Sequence, residues 1–587
     1  MLKLFAVVAL SSFTKAQVSP APSSVPGAQA PAAAQAGTDD MVVVHQFGVA
    51  GTPGSVLVQF DRRGASVLSV QLTDHYVSPA AAHKEPRDRS ADDYQLLVFS
   101  QARSLRLWLD QRSSGLMTLQ LDSSDGWTMQ DIDGAVRFTI SDRGLTLAKT
   151  YRHRPGFRGL VLELELLLAA DATRSEPECF LDLLGPELIN PSESSVYGNP
   201  AVAIAVAGDG AHGVVHPVSP KPGVVDANKQ ELLTLPAGEL AFAGSTNRFF
   251  AGFLYPLDDA AHHAVTRVDA YSRPLSDDPI TKTKAFSTTT TQLTLQMQLP
   301  KPGSSTKASF GVYLGPKSYH TFAEQPEYER FLPIMDVDLE PGCCFSISIP
   351  GGKFMAGLLV RLLGWFHSVV GNWGIAVMML TVLVRGLLAP VNFRMQKSMR
   401  VYGQKMAKLQ PMLQKLKEKY GADKNRYQQE MVAFQREHKM LPPLGGCLPI
   451  FLTMPIYLGL FTALRTAYDL RHQPFVSWIN DLSQPDQLFD LGFFPHHFNL
   501  LPLLWMAMLV RMQLKMPLPT DPQQRQVQQM MRYMPLVFGV VLYNYASGLM
   551  LYMVTSMVWT MIESRITKKI LGPLDPNVAA MAPTPTF

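Results

Sequence analysis

Arg385 is the residue of this 587-residue chain that most needs a chemical account. It follows the uncharged apolar stretch Gly374–Val384, and Pro390 lies five residues beyond it. An arginine near the centre of a bilayer costs about 2.5–3.5 kcal/mol on insertion scales, and such groups turn toward water or a partner. Two readings fit. Arg385 snorkels to the near end of its helix, or it stands in a wet groove and attracts acidic segments passing through. The second is a binding function, not a reaction. Reaction chemistry finds little support elsewhere. Ser547-Gly548 has no Gly-x-Ser-x-Gly frame, and His438 and His472 sit at or beyond the edges of the apolar runs. There is no Gly-rich phosphate loop and no His-Glu-x-x-His. Cys179, Cys343, Cys344 and Cys447 form no Cys-x-x-Cys. No catalytic residue, cofactor or metal is predicted.

The elements that carry Arg385 fall in the apolar half of a divided chain. Apolar residues make up 47% and charged residues 17%, against about 25% charged in an average soluble domain. A net charge of +4 is too small for a chain that wraps nucleic acid. Of 28 methionines, 21 lie between Met355 and Met561, where the long apolar runs also lie. These predict spans over about 373–391, 444–470, 499–515, 531–545 and 549–566. Before them, Gly357, Arg361, Gly364 and Ser368 stripe one face of 353–371, as on a helix lying in the interface, although an ordinary spanning helix also fits. Residues 41–350 read as strands. Leu162-Glu-Leu-Glu-Leu166 and Gln292-Leu-Thr-Leu-Gln-Met-Gln-Leu299 alternate with period two, which predicts a large antiparallel sandwich. Residues 1–16 read as a signal peptide or a short anchor, and 17–40 as a disordered Ala/Pro-rich linker.

Charge orients the spans. The segment 392–441 carries 12 Lys/Arg against 4 Asp/Glu, whereas the loop from Arg471 to Asn499 has one Arg against Asp481, Asp486 and Asp490. The first is therefore predicted cytoplasmic and the second external. The strand-rich domain is then exported and the C-terminus is inside. Within 392–441, Met395, Met399, Tyr402, Met406, Leu409, Leu413, Leu416 and Tyr420 step by four and three. Tyr427, Met431, Phe434, His438 and Leu441 resume that step after Gly421-Ala-Asp423. The pattern predicts a helical hairpin with a coiled-coil seam, kinked or broken at Pro411.

Seven motifs now stand in order: Gly371-Asn-Trp-Gly374, Thr381-Val-Leu-Val-Arg-Gly386, Leu409-Gln-Pro411, Pro443-Leu-Gly-Gly-Cys447, Met454-Pro455, Trp478-Ile-Asn-Asp-Leu482 and Ser547-Gly-Leu549. Together they resemble the YidC membrane-protein insertases of Gram-negative bacteria over about residues 353–566, with Asn247-Arg-Phe-Phe-Ala-Gly-Phe253 as a weaker landmark upstream. The resemblance implies a polytopic α-helical membrane protein with a five-helix core (372–570) and a cytoplasmic hairpin, plus an all-β periplasmic supersandwich-like domain. It implies a hydrophilic groove closed to the outside, with Arg385 and Thr381 in it and Tyr552 and Met553 facing the substrate. The hairpin residues Met399, Tyr402, Met406, Leu409, Tyr427, Met431 and Phe434 would belong to the element that receives substrates. Implied partners are nascent inner-membrane proteins, the Sec translocon, membrane lipids, and the signal recognition particle, its receptor and the ribosome. Met553 stands where many members have a second tyrosine. The tail 571–587 lacks Lys and Arg after Leu571, which argues against ribosome binding through it.

The function expected is a non-enzymatic insertase and chaperone of the bacterial inner membrane. The competing expectation is a polytopic channel or transporter with an exported sensor or glycan-binding domain. Inverted repeats or paired mid-membrane charges would favour that alternative, and neither is seen.

Overall fold

The computed structural model describes residues 42–338 and 352–572, except 86–87, 111, 114–118, 122–125, 173–176, 189–201, 209–213, 219–229, 235–238, 276–285, 421–422, 438–455, 457–458, 462, 465–466, 492–496 and 515–521. Strands occupy the N-terminal part and long helices the C-terminal part. The signal peptide or anchor, the linker, Cys343, Cys344, Cys447, most of the predicted span 444–470 and the end of the hairpin lie outside the described residues.

Among the described residues, three antiparallel sheets build the β domain. The first runs β1 (Val42–Phe47), β2 (Val56–Asp61), β3 (Ser66–Tyr76), β4 (Tyr94–Ser104) in simple order. The second has the order β13 (Gln230–Thr234), β16 (Val265–Leu275), β17 (Phe286–Gln298), β10 (Glu178–Leu184), β5 (Leu107–Leu109). The third has nine strands: β12 (Val214–Val218), β11 (Val202–Ala207), β14 (Leu240–Thr246), β15 (Phe250–Pro256), β18 (Ser305–Pro316), β9 (Gly159–Leu168), β8 (Leu145–Arg152), β7 (Ala135–Asp142) and β6 (Thr128–Ile132).

Alternation decides which face each strand buries. In β9, Leu162, Leu164 and Leu166 are buried while Glu163 and Glu165 are only partly so; in β17, Leu293, Leu295 and Met297 are buried. These side chains join one core shared with Phe60, Phe138 and Tyr151. β14 and β15 depart from alternation, because every residue in both is buried. Their second face is covered by the short helices Tyr319–Phe322 and Pro333–Asp338 and the 3-10 turn Pro326–Phe331, which pack Phe322, Tyr328, Phe331 and Ile334 on Phe242, Phe253 and Tyr313. Cys179 lies buried in β10, and burial pushes its thiol up to about 12.

Among the described residues the longer helices that follow are α1 (Gly352–Val370), α2 (Trp373–Tyr420), α3 (Lys424–Glu437), α4 (Leu500–Leu514), α5 (Pro522–Val541) and α6 (Ser547–Leu571). One helical stretch among the described residues, Trp373–Ser398, is long and apolar enough to cross a membrane. Of the kink or break expected at Pro411, α2 shows no break. It is a single helix of 48 residues that carries both the first predicted span and the first arm of the hairpin, with Pro390 and Pro411 inside it. Pro411 is exposed, so water can replace the hydrogen bond that proline removes. Leu359 and Leu363 of α1, Ala376, Val377 and Leu380 of α2, and Leu549, Met550 and Val554 of α6 form the core of the helical part.

Candidate functional site: Arg385 between two helices

α2 and α6 pack along their length, and Arg385 is half-buried between them. Its Nε donates to Ser556 Oγ at 2.7 Å, and its Nη2 also reaches that oxygen. A hydrogen bond from a charged donor contributes about 1.5–3 kcal/mol, and the serine supplies it without neutralising the charge. Thr381, one turn earlier on α2, is buried and returns its hydroxyl to Val377 O at 2.7 Å. Tyr552, one turn before Ser556 on α6, is buried, and Met553 packs at the edge of the same apolar core.

A polar track continues from Arg385 toward the far end of α6. Gln396 donates to Glu563 Oε1 at 3.3 Å, and buried Asn392 also hydrogen-bonds Glu563. Residues 385, 392 and 396 share one face of α2, and 552, 556 and 563 share one face of α6. Of these residues the sequence alone singles out Arg385, Thr381 and Tyr552, and not Ser556, Asn392, Gln396 or Glu563. The signal available was spacing: Ser556 and Glu563 follow Tyr552 in steps of four and seven, and Asn392 and Gln396 follow Arg385 in steps of seven and four.

The hairpin residues are reached less fully. Leu409, Tyr427, Met431 and Phe434 are half-buried, and α3 turns back on the end of α2, where the Arg426 guanidinium sits 5.6 Å from the Tyr420 ring centre. The side chains of Met399, Tyr402 and Met406 lie outside the described residues. Ser547, which the sequence offers as a lone serine, is fully buried, and its hydroxyl donates to Asp481 O at 2.8 Å.

A helix long and apolar enough to cross a membrane thus carries an arginine, packs on a second helix that answers it with a serine, and shares its chain with a large β domain. Residues 365–572 match the family described as 60Kd inner membrane protein. The chain is 36% identical over 271 residues to the membrane protein insertase YidC of Marinobacter nauticus, covering 46% of this chain and 42% of that protein. It is 32% identical over 331 residues to the membrane protein insertase YidC of Syntrophobacter fumaroxidans, covering 56% and 53%. A galactose mutarotase related enzyme from Lactobacillus acidophilus is similar over 46% of this chain and 97% of its own, at 8% identity and a TM-score of 0.30, too slight a likeness to carry the fold. The helical part of this chain is similar to the family described as 60Kd inner membrane protein and to insertases named YidC. The chain spans about half the length of the curated relatives it matches. The relatives are named for insertion.

Proposed function

We propose that this chain is a membrane protein insertase and chaperone of the bacterial inner membrane. Apolar segments of nascent membrane proteins enter a hydrophilic groove between its helices and pass from there into lipid, with the Sec translocon or alone. In this reading five spans form the core. The β domain stands in the periplasm, and the hairpin and C-terminus stand in the cytoplasm. Arg385, Thr381, Tyr552 and Met553 line the groove, and the hairpin receives clients and targeting factors. The groove lowers the cost of holding a client's polar residues below the membrane surface. Burial of about 20 apolar residues in lipid supplies the free energy, so no nucleotide is consumed.

The observation that carries the reading is Arg385 itself: a guanidinium within the stretch Trp373–Ser398, which is long and apolar enough to cross a membrane, half-buried and held by Ser556 of α6. The test is insertion of a single-span client with an acidic tail into liposomes holding the purified protein, beside protein-free liposomes and Arg385→Ala. Insertion above the protein-free level, cut several-fold by the substitution, is the expected result. No insertion above background with several clients overturns the autonomous reading.

A further inference from the structure

The motif Trp478-Ile-Asn-Asp-Leu482 lies in a loop that touches three parts of the molecule at once. On one side the loop meets the β domain. Arg471, 6% exposed, donates through Nη2 to Tyr76 O at 2.9 Å and to Gln95 Oε1 at 2.7 Å, with its guanidinium 5.4 Å from the Phe250 ring centre. Tyr468 packs its ring 5.8 Å from that of His75 and 5.7 Å from that of Phe250. The receiving surface is itself fixed. His75 Nδ1 and Asp74 Oδ1 are 2.6 Å apart, Asp74 Oδ2 accepts from Arg158 at 2.9 Å, and Arg158 donates to both oxygens of Glu324 at 2.8 Å.

On the other side the loop supplies acceptors to the first turns of two helices, whose N–H groups have no partner within the helix. Asp486 Oδ2 accepts from Leu500 N at 2.7 Å and Leu501 N at 3.0 Å, at the start of α4, and from Trp478 Nε1 at 3.2 Å. Gln484 O accepts from Ser547 N at 2.6 Å and Leu482 O from Gly548 N at 2.8 Å, at the start of α6. Asp481 fixes the loop's own turn, accepting on Oδ1 from His472 N at 3.0 Å and from Ser483 N and Oγ at 2.8 Å each.

We propose that Tyr468–Asp486 is a clasp between the exported domain and the helical part, in which Arg471 is the positioning residue that holds the domain. The domain's docking surface, formed by Tyr76, Gln95, Phe250 and His75, then has this chain's own loop as its partner. A guanidinium is suited to the task because one nitrogen serves two acceptors while its flat face rests on a ring.

Hydrogen exchange on the full chain in lipid nanodiscs tests this. Arg471→Ala is expected to raise exchange about tenfold or more in the loop and at the adjoining ends of β3 and β4, a loss of about 1.4 kcal/mol. Exchange in β9 and β18 should stay as in the wild type. Gln95→Leu, which removes one of the two acceptors on the domain side, is expected to give the same local pattern more weakly, and the double variant is expected to be no worse than Arg471→Ala alone. Unchanged exchange in both single variants overturns the proposal, as do additive effects in the double variant. If Arg471→Ala loses protection throughout the domain, Gln95→Leu decides alone: a local increase in the loop supports the clasp, and no change overturns it.

Discussion

Lys149 shows how much one side chain can hold. It is fully buried on β8, where its ammonium donates to Ala65 O at 2.9 Å and to Leu105 O. Ala65 and Leu105 both have positive φ, 45° and 56°, which residues with a Cβ adopt at a cost. The lysine therefore ties down two strained turns, with Tyr151 Oη donating to Ala65 O as well at 2.8 Å. Burial drives its pKa well below the usual lysine value. Lys149→Met keeps the bulk and removes the donor, leaving Leu105 O without this partner. The expected cost is about 1–3 kcal/mol, read as a lower melting midpoint for the full chain. Nothing in the alternation Leu145-Thr-Leu-Ala-Lys-Thr-Tyr151 announces this role, because its acceptors come from turns 84 and 44 residues away.

Among the elements, legibility followed periodicity. Leu162–Leu166 is readable as a half-buried strand because Glu163 and Glu165 keep one face partly wet, whereas Gln292–Leu299 alternates in residue type although Gln292 and Thr294 are buried too. β14 and β15 are not readable in this way, since the helical cover over their second face is set by residues 319–338, far along the chain. At the candidate site Arg385 was legible from its surroundings alone, whereas Ser556 gains meaning only once α6 lies against α2. The single course of α2 through Pro411 ran against local propensity. One close approach between strands is strict. Gly159 opens β9 with φ of +114°, and a Cβ there would stand 2.0 Å from Val312 O of β18. Gly159→Ala must part the two strands or strain the backbone, so it is expected to cost more than about 3 kcal/mol. Denaturant unfolding of the full chain would show it; a midpoint within error of the wild type would refute the close approach.

For the whole molecule, the seam between β domain and helices carries a pH dependence. Burial holds His75 below its ordinary 6.5, opposed by Asp74 and reinforced by Arg158 and Arg471. For Asp74, burial works upward, but its hydrogen bonds to His75 and Gly54 and the charge of Arg158 hold it below 3.8. As pH falls through 6.5 the unfolded chain takes up a proton that folded His75 refuses, so stability is lost with acid. The Asp74 contribution is present above 3.8 and is lost in the same direction at lower pH. His153 and His262, also depressed by burial, add to the slope. The melting midpoint of the full chain is expected to fall between about pH 7.5 and pH 5.5, with the slope reduced but not abolished in His75→Gln. A midpoint independent of pH over that range would contradict a neutral, buried His75.

The unbroken course of α2 has a mechanical meaning. At about 1.5 Å per residue, the helix from Arg385 to Tyr420 is a rod of roughly 50 Å. A tilt of only about 5° at its inner end would swing the tip by roughly 4–5 Å. Whatever grips the hairpin tip therefore holds the long arm of a lever whose short arm bears Arg385, with Pro390 and Pro411 as the joints where that leverage is spent or passed on.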